Sequence, residues 1–297
     1  MGLLHIRHQG SNIAALTRAG LSSLGSRPSD PPVTPGPVIR STVKPLPQSL
    51  RDDFVRWCGG DPAVWDDQVP PFLFPQWGLP SLGRTVSDIP WPITRVVNQG
   101  CRLEIKAPLP AGEPLVVTAQ LLSTEVTERR ARLHQRLITG TATVPEALVA
   151  DVFAVVPLSR SGGSKREPPV VPEDHRRLAP IGAEAGAGWQ FALLTGDFNP
   201  IHWLGPVARM SGFRGVILQG FGTFARVGQA LVEDWLDGDG RQLASMDVRF
   251  VRPLVVRSDV ALHVGNEDDG ALPIAVGDGL GGTAQMLGTA HRRQTHE

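Results

Sequence analysis

The stretch Gly215-Val-Ile-Leu-Gln-Gly-Phe-Gly-Thr-Phe-Ala-Arg-Val-Gly-Gln-Ala-Leu-Val-Glu-Asp-Trp-Leu236 limits what this chain can fold into more than any other. Ile217, Phe221, Phe224, Gly228, Leu231 and Trp235 follow helical spacing, while Val216, Leu218, Ala225, Val227 and Val232 cover the remaining faces. A helix apolar nearly all round is buried nearly all round, so other elements must wrap it. Gly220, Gly222 and Gly228 each weaken such a helix by about 1 kcal/mol relative to Ala. They suit it instead to the close approach of a sheet or a ligand. Glu233-Asp234 and Asp237-Gly-Asp-Gly240 mark its exit to solvent.

The wrapping material reads as strands. Cys101–Lys106 alternates with Leu103 and Ile105 on one face, Leu115–Ser123 is a nearly continuous β-type run, and Ala131–Thr143 alternates again before Leu148–Pro157. Pro108–Pro114 is a turn, and the charges of Thr124–Arg130 are a solvated hairpin end. Beyond the helix, Ala244–Phe250, Val255–Val264, Leu272–Gly277 and Ala284–Ala290 repeat the theme. Placing Pro108-Leu109 on Pro253-Leu254 sets Leu103 on Val248, Ile105 on Phe250 and Leu115 on Val260. Each half runs apolar segment, alternating strand, Pro-Leu corner, long strand. The implied fold class is α+β, a duplicated unit in which a curled antiparallel sheet wraps one helix.

Upstream, residues 50–65 predict a short amphipathic helix stopped by Gly59-Gly60-Asp61-Pro62. Pro70–Gly83 is apolar but interrupted by Pro75 and Pro80, each costing a continuous helix about 3 kcal/mol. This suggests a broken helix, and Trp77 and Trp91 are read as packing residues. The expected organisation is a tail and Pro-rich spacer (1–37), a first repeat (38–158), a Ser/Gly/Pro linker (159–177) and a second repeat (178–297). Residues 1–29 hold no acid, with Arg7, Arg18 and Arg27 among serines. That matches a transit segment superficially, but Gly10, Gly20 and Gly25 favour a tail or a short surface helix over Ser11–Leu24. A cytoplasmic location is expected. Acids and bases balance at 29 each, so no net field attracts nucleic acid. Cys58 and Cys101 stand far apart, without ligand spacing or a disulfide framework. No run of about 18 apolar residues predicts a membrane-spanning helix.

The densest chemistry lies in Phe191-Ala-Leu-Leu-Thr-Gly-Asp-Phe-Asn-Pro-Ile-His202, just ahead of the apolar helix. Asp197 can take a proton from water or return one, the His202 imidazole can hold the same water, and Asn199 can orient it through its amide. The same residues equally fit Asx-type turn bonds with a passively packed histidine, and spacing alone does not choose between the two. A metal site would need more His or Cys nearby. Gly277-Asp-Gly-Leu-Gly-Gly282 is followed by a strand rather than the helix a phosphate loop requires, so it is read as a hairpin turn. Arg249 and Arg252, flanking the second Pro-Leu corner, are read as solvated surface. No Gly-x-Ser-x-Gly elbow supports a serine esterase.

Thr195-Gly-Asp-Phe-Asn-Pro-Ile-His202, followed by Ala208-Arg-Met-Ser-Gly-Phe213 and Gly220, resembles the MaoC-like (type 2) enoyl-thioester hydratases, well over residues 186–290 and more faintly over 72–157. The resemblance implies a double hotdog, two antiparallel sheets each wrapping a central helix. It also implies roles: Asp197 and His202 hold the attacking water, with Asp197 moving the proton at C2. Asn199 helps to fix that water, and the Gly220 backbone N–H receives the thioester oxygen. The implied reaction is reversible hydration of trans-2-enoyl to (R)-3-hydroxyacyl thioesters, with CoA or acyl carrier protein as carrier and no metal or redox cofactor. Leu204 and Gln219 depart from the family's usual acidic or amide residue and histidine, which suggests altered substrate contacts. The first repeat lacks the motif, so one site per chain is expected, with residues 70–100 lining an acyl pocket roomy enough for a long chain. A homodimer stays open, because two repeats can pair within one chain. A hotdog thioesterase and a non-catalytic acyl-CoA-binding protein are the alternatives.

Overall fold

A computed structural model describes residues 3–10, 29–91, 96–159 and 167–294. In chain order, strand β1 (Ile39–Val43) leads into helix α1 (Gln48–Cys58), short 3-10 turns at Pro62–Trp65 and Pro71–Leu73, and helix α2 (Pro75–Thr85). Four strands complete the first half: β2 (Val97–Ile105), β3 (Leu115–Val126), β4 (Arg130–Gly140) and β5 (Leu148–Pro157). The second half begins with β6 (Arg176–Ile181) and helix α3 (Ala187–Thr195), then a 3-10 turn at Pro200–His202 and helices α4 (Gly205–Met210) and α5 (Gly220–Asp234). Strands β7 (Leu243–Phe250), β8 (Val260–Val264), β9 (Ala271–Gly277) and β10 (Ala284–Arg292) close it.

The strand order is β1-β3-β4-β5-β2-β7-β10-β9-β8-β6, antiparallel throughout. Read from its two ends, the list is the same five-strand pattern twice, as the double hotdog requires. The expectation of two sheets is refined: β2 and β7 pair, so the halves fuse into one 10-stranded sheet. The offset that sets Pro108 on Pro253 also sets Arg102 on Asp247, and these two residues face each other across the junction. Cys101↔Val248 and Leu103↔Met246 flank them as mates. A local two-fold axis therefore passes through the Arg102–Asp247 pair, with opposite charges directly opposed on the exposed face.

Helix α5 is enclosed as its sequence demands. Phe221, Phe224, Leu231 and Val232 are all buried, each worth at most about 1.5–3 kcal/mol in transfer free energy. It begins at Gly220, not Gly215. Ile217 is bridged to Val255 and the Leu218 N–H donates to the Leu254 carbonyl, so residues before Gln219 are tied to the second Pro-Leu corner instead of to a helix. Pro70–Gly83 supplies the opposing aromatics. Phe72 and Phe74 meet Phe224 and Phe221 edge to face, and buried Trp77 donates its indole N–H to Thr139 Oγ1 at 2.9 Å. Pro80 lies within α2 without ending it.

The helix predicted upstream ends at the Gly59-Gly60-Asp61-Pro62 stop, with Gly59 left-handed (φ 96°), and Pro62–Trp65 follow as a 3-10 turn capped by Asp61. Two further differences from the sequence reading stand out. The linker expected over 159–177 has structure in its later part: Val171 is fully buried and β6 begins at Arg176. In the tail, His5 is buried against Asp53 (2.8 Å), and Gln9 donates to the Leu193 and Leu194 carbonyls at the end of α3. The surface helix considered for Ser11–Leu24 lies outside the described residues. Cys58 and Cys101 are free and buried, and burial pushes both thiols up, away from reactivity.

Two outcomes follow. A Cβ on Gly228 would lie 2.3–2.6 Å from the Phe72 ring, so Gly228→Ala should destabilise by about 1–3 kcal/mol despite alanine's better helix propensity. Phe72→Leu added to it should cost less than the two singles summed, as read by denaturant unfolding. On β8, burial holds His263 below its ordinary 6.5. The unfolded chain then binds a proton that the native state refuses, so stability is full above about pH 6.5 and declines as pH falls below it. Thermal midpoints from pH 8 to 5 should drop less in His263→Leu than in the parent.

Candidate active site

Helix α3 delivers the polar loop. It ends on Gly196, left-handed at φ 80°, whose N–H closes on the Ala192 carbonyl at 2.8 Å. The chain then turns back through two long Asx-type bonds, Asn199 N–H to Asp197 Oδ1 and Ile201 N–H to Asn199 Oδ1, both 3.4 Å. The second caps the 3-10 turn whose last residue is His202. Turn chemistry and a polar site therefore coexist in these residues. Asn199 spends its carbonyl oxygen on the cap, which leaves its amide NH2 as the group able to donate to a water. Asp197 and Asn199 are half-buried, open enough to meet a ligand.

His202 is 9% exposed, and its Nδ1 lies 2.9 Å from the Ile217 carbonyl oxygen. A carbonyl can only accept, so Nδ1 carries the proton, and in the neutral ring Nε2 keeps its lone pair. From behind, Gly188 presses on the same residue: a Cβ there would stand 2.0 Å from the His202 carbonyl oxygen, so only glycine fits. Trp189 packs edge-on against Phe198 and Trp203, and the Trp203 indole donates to the Phe198 carbonyl at 3.2 Å, which braces the outer side of the loop.

Gly220 opens α5, so its N–H has no partner within the helix. A Cβ at Gly220 would meet the Phe250 ring at 2.9 Å. Two links join this helix start to the loop. One is the His202–Ile217 bond. The other is Gln219, which donates its amide to the Gly188 carbonyl at 3.0 Å and the Asp197 carbonyl at 3.3 Å. Asp197, Asn199, His202 and Gly220 are thus gathered at one place. Gln219, 1% exposed, turns its Nε2 onto the loop backbone. The polar residue inside Val216-Ile-Leu-Gln-Gly-Phe221 was the available signal for a buried role. Leu204, in contrast, is 40% exposed.

The first repeat has the same corner without the same chemistry. The Val69 N–H donates to the Leu109 carbonyl at 2.8 Å, as Leu218 does to Leu254. Pro70 and Gln219 then occupy matching N-cap conformations (φ −54°, ψ 123° and φ −57°, ψ 140°). The residue in the place of Gly220 is Pro71, which has no N–H to offer. Elsewhere, a cavity of about 560 Å³ between α1, β6 and α5 is lined by Trp57, Cys58, Glu184, Arg226 and Gln229, and by no residue of the loop. Arg226 is held there by Glu184 and covers the Trp57 ring at 4.1 Å.

Comparisons with known proteins bear on this arrangement. Residues 170–272 match the family model described as a MaoC like domain. Over 168 residues the chain is 29% identical to 3-hydroxyacyl-thioester dehydratase Y of Mycobacterium tuberculosis, an alignment covering 53% of this chain and 56% of that protein. The chain thus spans little more than half the length of this curated relative. Among solved structures, it resembles HtdX of M. tuberculosis at a TM-score of 0.68 and 19% identity, covering 84% of this chain and 98% of that one. It also resembles a protein of M. tuberculosis described as having a double hotdog fold, at a TM-score of 0.58 and 14% identity, covering 88% and 97%. At such identities these two likenesses speak for the fold alone, which is the fold described above. The motif loop and the start of α5 both lie inside the segment that matches the MaoC like domain model.

Proposed function

We propose that this protein adds water reversibly across the double bond of trans-2-enoyl thioesters to give (R)-3-hydroxyacyl thioesters, or removes it. The observation that carries the reading is the His202 imidazole, buried and held through Nδ1 by the carbonyl of Ile217, three residues ahead of the Gly220 N–H, which has no partner within its helix. That hydrogen bond leaves Nε2 as an acceptor for a water proton. Asp197, as a carboxylate, takes the other proton of that water as its oxygen bonds to C3, and delivers it to C2, so the enzyme ends as it began. Asn199 holds the water through its amide. Charge that moves onto the thioester oxygen meets the Gly220 N–H at a helix N-terminus, where the donor needs no reorganisation. Pro71 at the matching place in the first repeat supports one site per chain. The dehydratase activity in the name of the mycobacterial relative agrees with this reading. CoA and acyl carrier protein both present the same thioester.

Crotonyl-CoA separates the alternatives. Loss of enoyl absorbance without release of thiol is the expected result. Released thiol would indicate a thioesterase, and binding without turnover a non-catalytic acyl-CoA-binding protein. Asp197→Asn and His202→Ala should each lower kcat by about 10²- to 10⁴-fold, and His202→Ala should also lower the unfolding midpoint, because the buried bond to the Ile217 carbonyl is lost. Full activity in either variant would remove the role given to that residue.

A further inference from the structure

We propose that Gln219 is a positioning residue that sets the height of Asp197 over the start of α5; the inference rests on the catalytic reading of Asp197 given above. Its carboxamide orientation is fixed, because Nε2 faces two carbonyl oxygens, Gly188 O at 3.0 Å and Asp197 O at 3.3 Å, and neither can donate. Both protons of the amide are therefore used to span from the first turn of α3 to the loop at its far end. The residue is 1% exposed, so no water competes for these bonds, and its own backbone is the N-cap of α5. Its neighbours bear on the other groups of the site: Ile217 O orients His202, Gly220 opens the helix, and Gly188 itself abuts the His202 carbonyl.

A side chain with a single N–H in this geometry can serve only one of the two carbonyls. Imidazole is such a side chain, and methionine, of nearly the same length, serves neither. Gln219 thus acts on the reaction through the Asp197 backbone, without touching substrate.

The test compares Gln219→Met and Gln219→His with Asp197→Asn. In crotonyl-CoA hydration, Gln219→Met should lower kcat by about 10- to 100-fold with KM changed less than about threefold, the size of loss that a shift near 1 Å in a reacting group brings. Gln219→His should fall between Gln219→Met and the parent. Amide hydrogen exchange over residues 195–203, which needs no turnover, should speed up in Gln219→Met and stay at the parental rate in Asp197→Asn. Parental kcat in Gln219→Met, a loss confined to KM, or parental exchange in the loop would overturn the inference. Should Gln219→Met not fold, Gln219→His is held to the same readouts, with a smaller loss expected and parental kcat and exchange overturning the proposal. If Asp197→Asn keeps full activity, the catalytic reading itself fails, whereas an inactive Asp197→Asn beside a fully active Gln219→Met defeats only the role of Gln219.

Discussion

Four consecutive residues, Ile217 to Gly220, hold this site together, and the hydrogen bond from His202 Nδ1 to the Ile217 carbonyl is the contact on which the rest depends. It sets the tautomer of the ring and fixes the loop to the segment that enters α5. That segment is itself secured to the sheet. Ile217 is bridged to Val255, and Leu218 donates to the carbonyl of Leu254 at the Pro-Leu corner. The polar loop is thereby referenced to the 10-stranded sheet through backbone groups, which hold position better than side chains on a free loop.

Glycine allows the remaining approaches. Gly188 lets α3 touch the backbone of His202, and Gly228 lets the Phe72 ring lie against α5. Where a sheet or helix alone would prefer alanine, close contact decides. The aromatic cluster of Phe72, Phe74, Phe221 and Phe224 then joins the first repeat to the helix of the second, so the half without the polar loop is a wall of the other's core.

Much of this was legible in the residues. The all-round apolarity of 215–236 announced an enclosed helix, and the alternation of Leu103 with Ile105 announced an inward strand face. The Pro-Leu offset anticipated the two-fold relation, down to the Arg102–Asp247 pair at its centre. Asp197, Asn199 and His202 stood close enough in sequence for their proximity to survive any fold. What was not legible depends on long-range contact. The start of α5 moved from Gly215 to Gly220 because Val255 and Leu254 claim the preceding backbone. The direction of Gln219 needed the position of Gly188, over thirty residues upstream. The edge-to-face meeting of Phe72 and Phe74 with Phe224 and Phe221 needed the relative placement of distant segments.

The β2–β7 junction carries a consequence for descent. Two strands that would otherwise be bare edges, open to any other chain, close on each other around Arg102 and Asp247. Such a molecule is a dimer written into one polypeptide. Once joined, its two members no longer have to remain identical. One can lose its loop and acquire a proline where the other presents an amide, because its debt to the partner is shape and edge alone. Pro71 and Gly220 stand at matching helix starts, one without an N–H and the other with one.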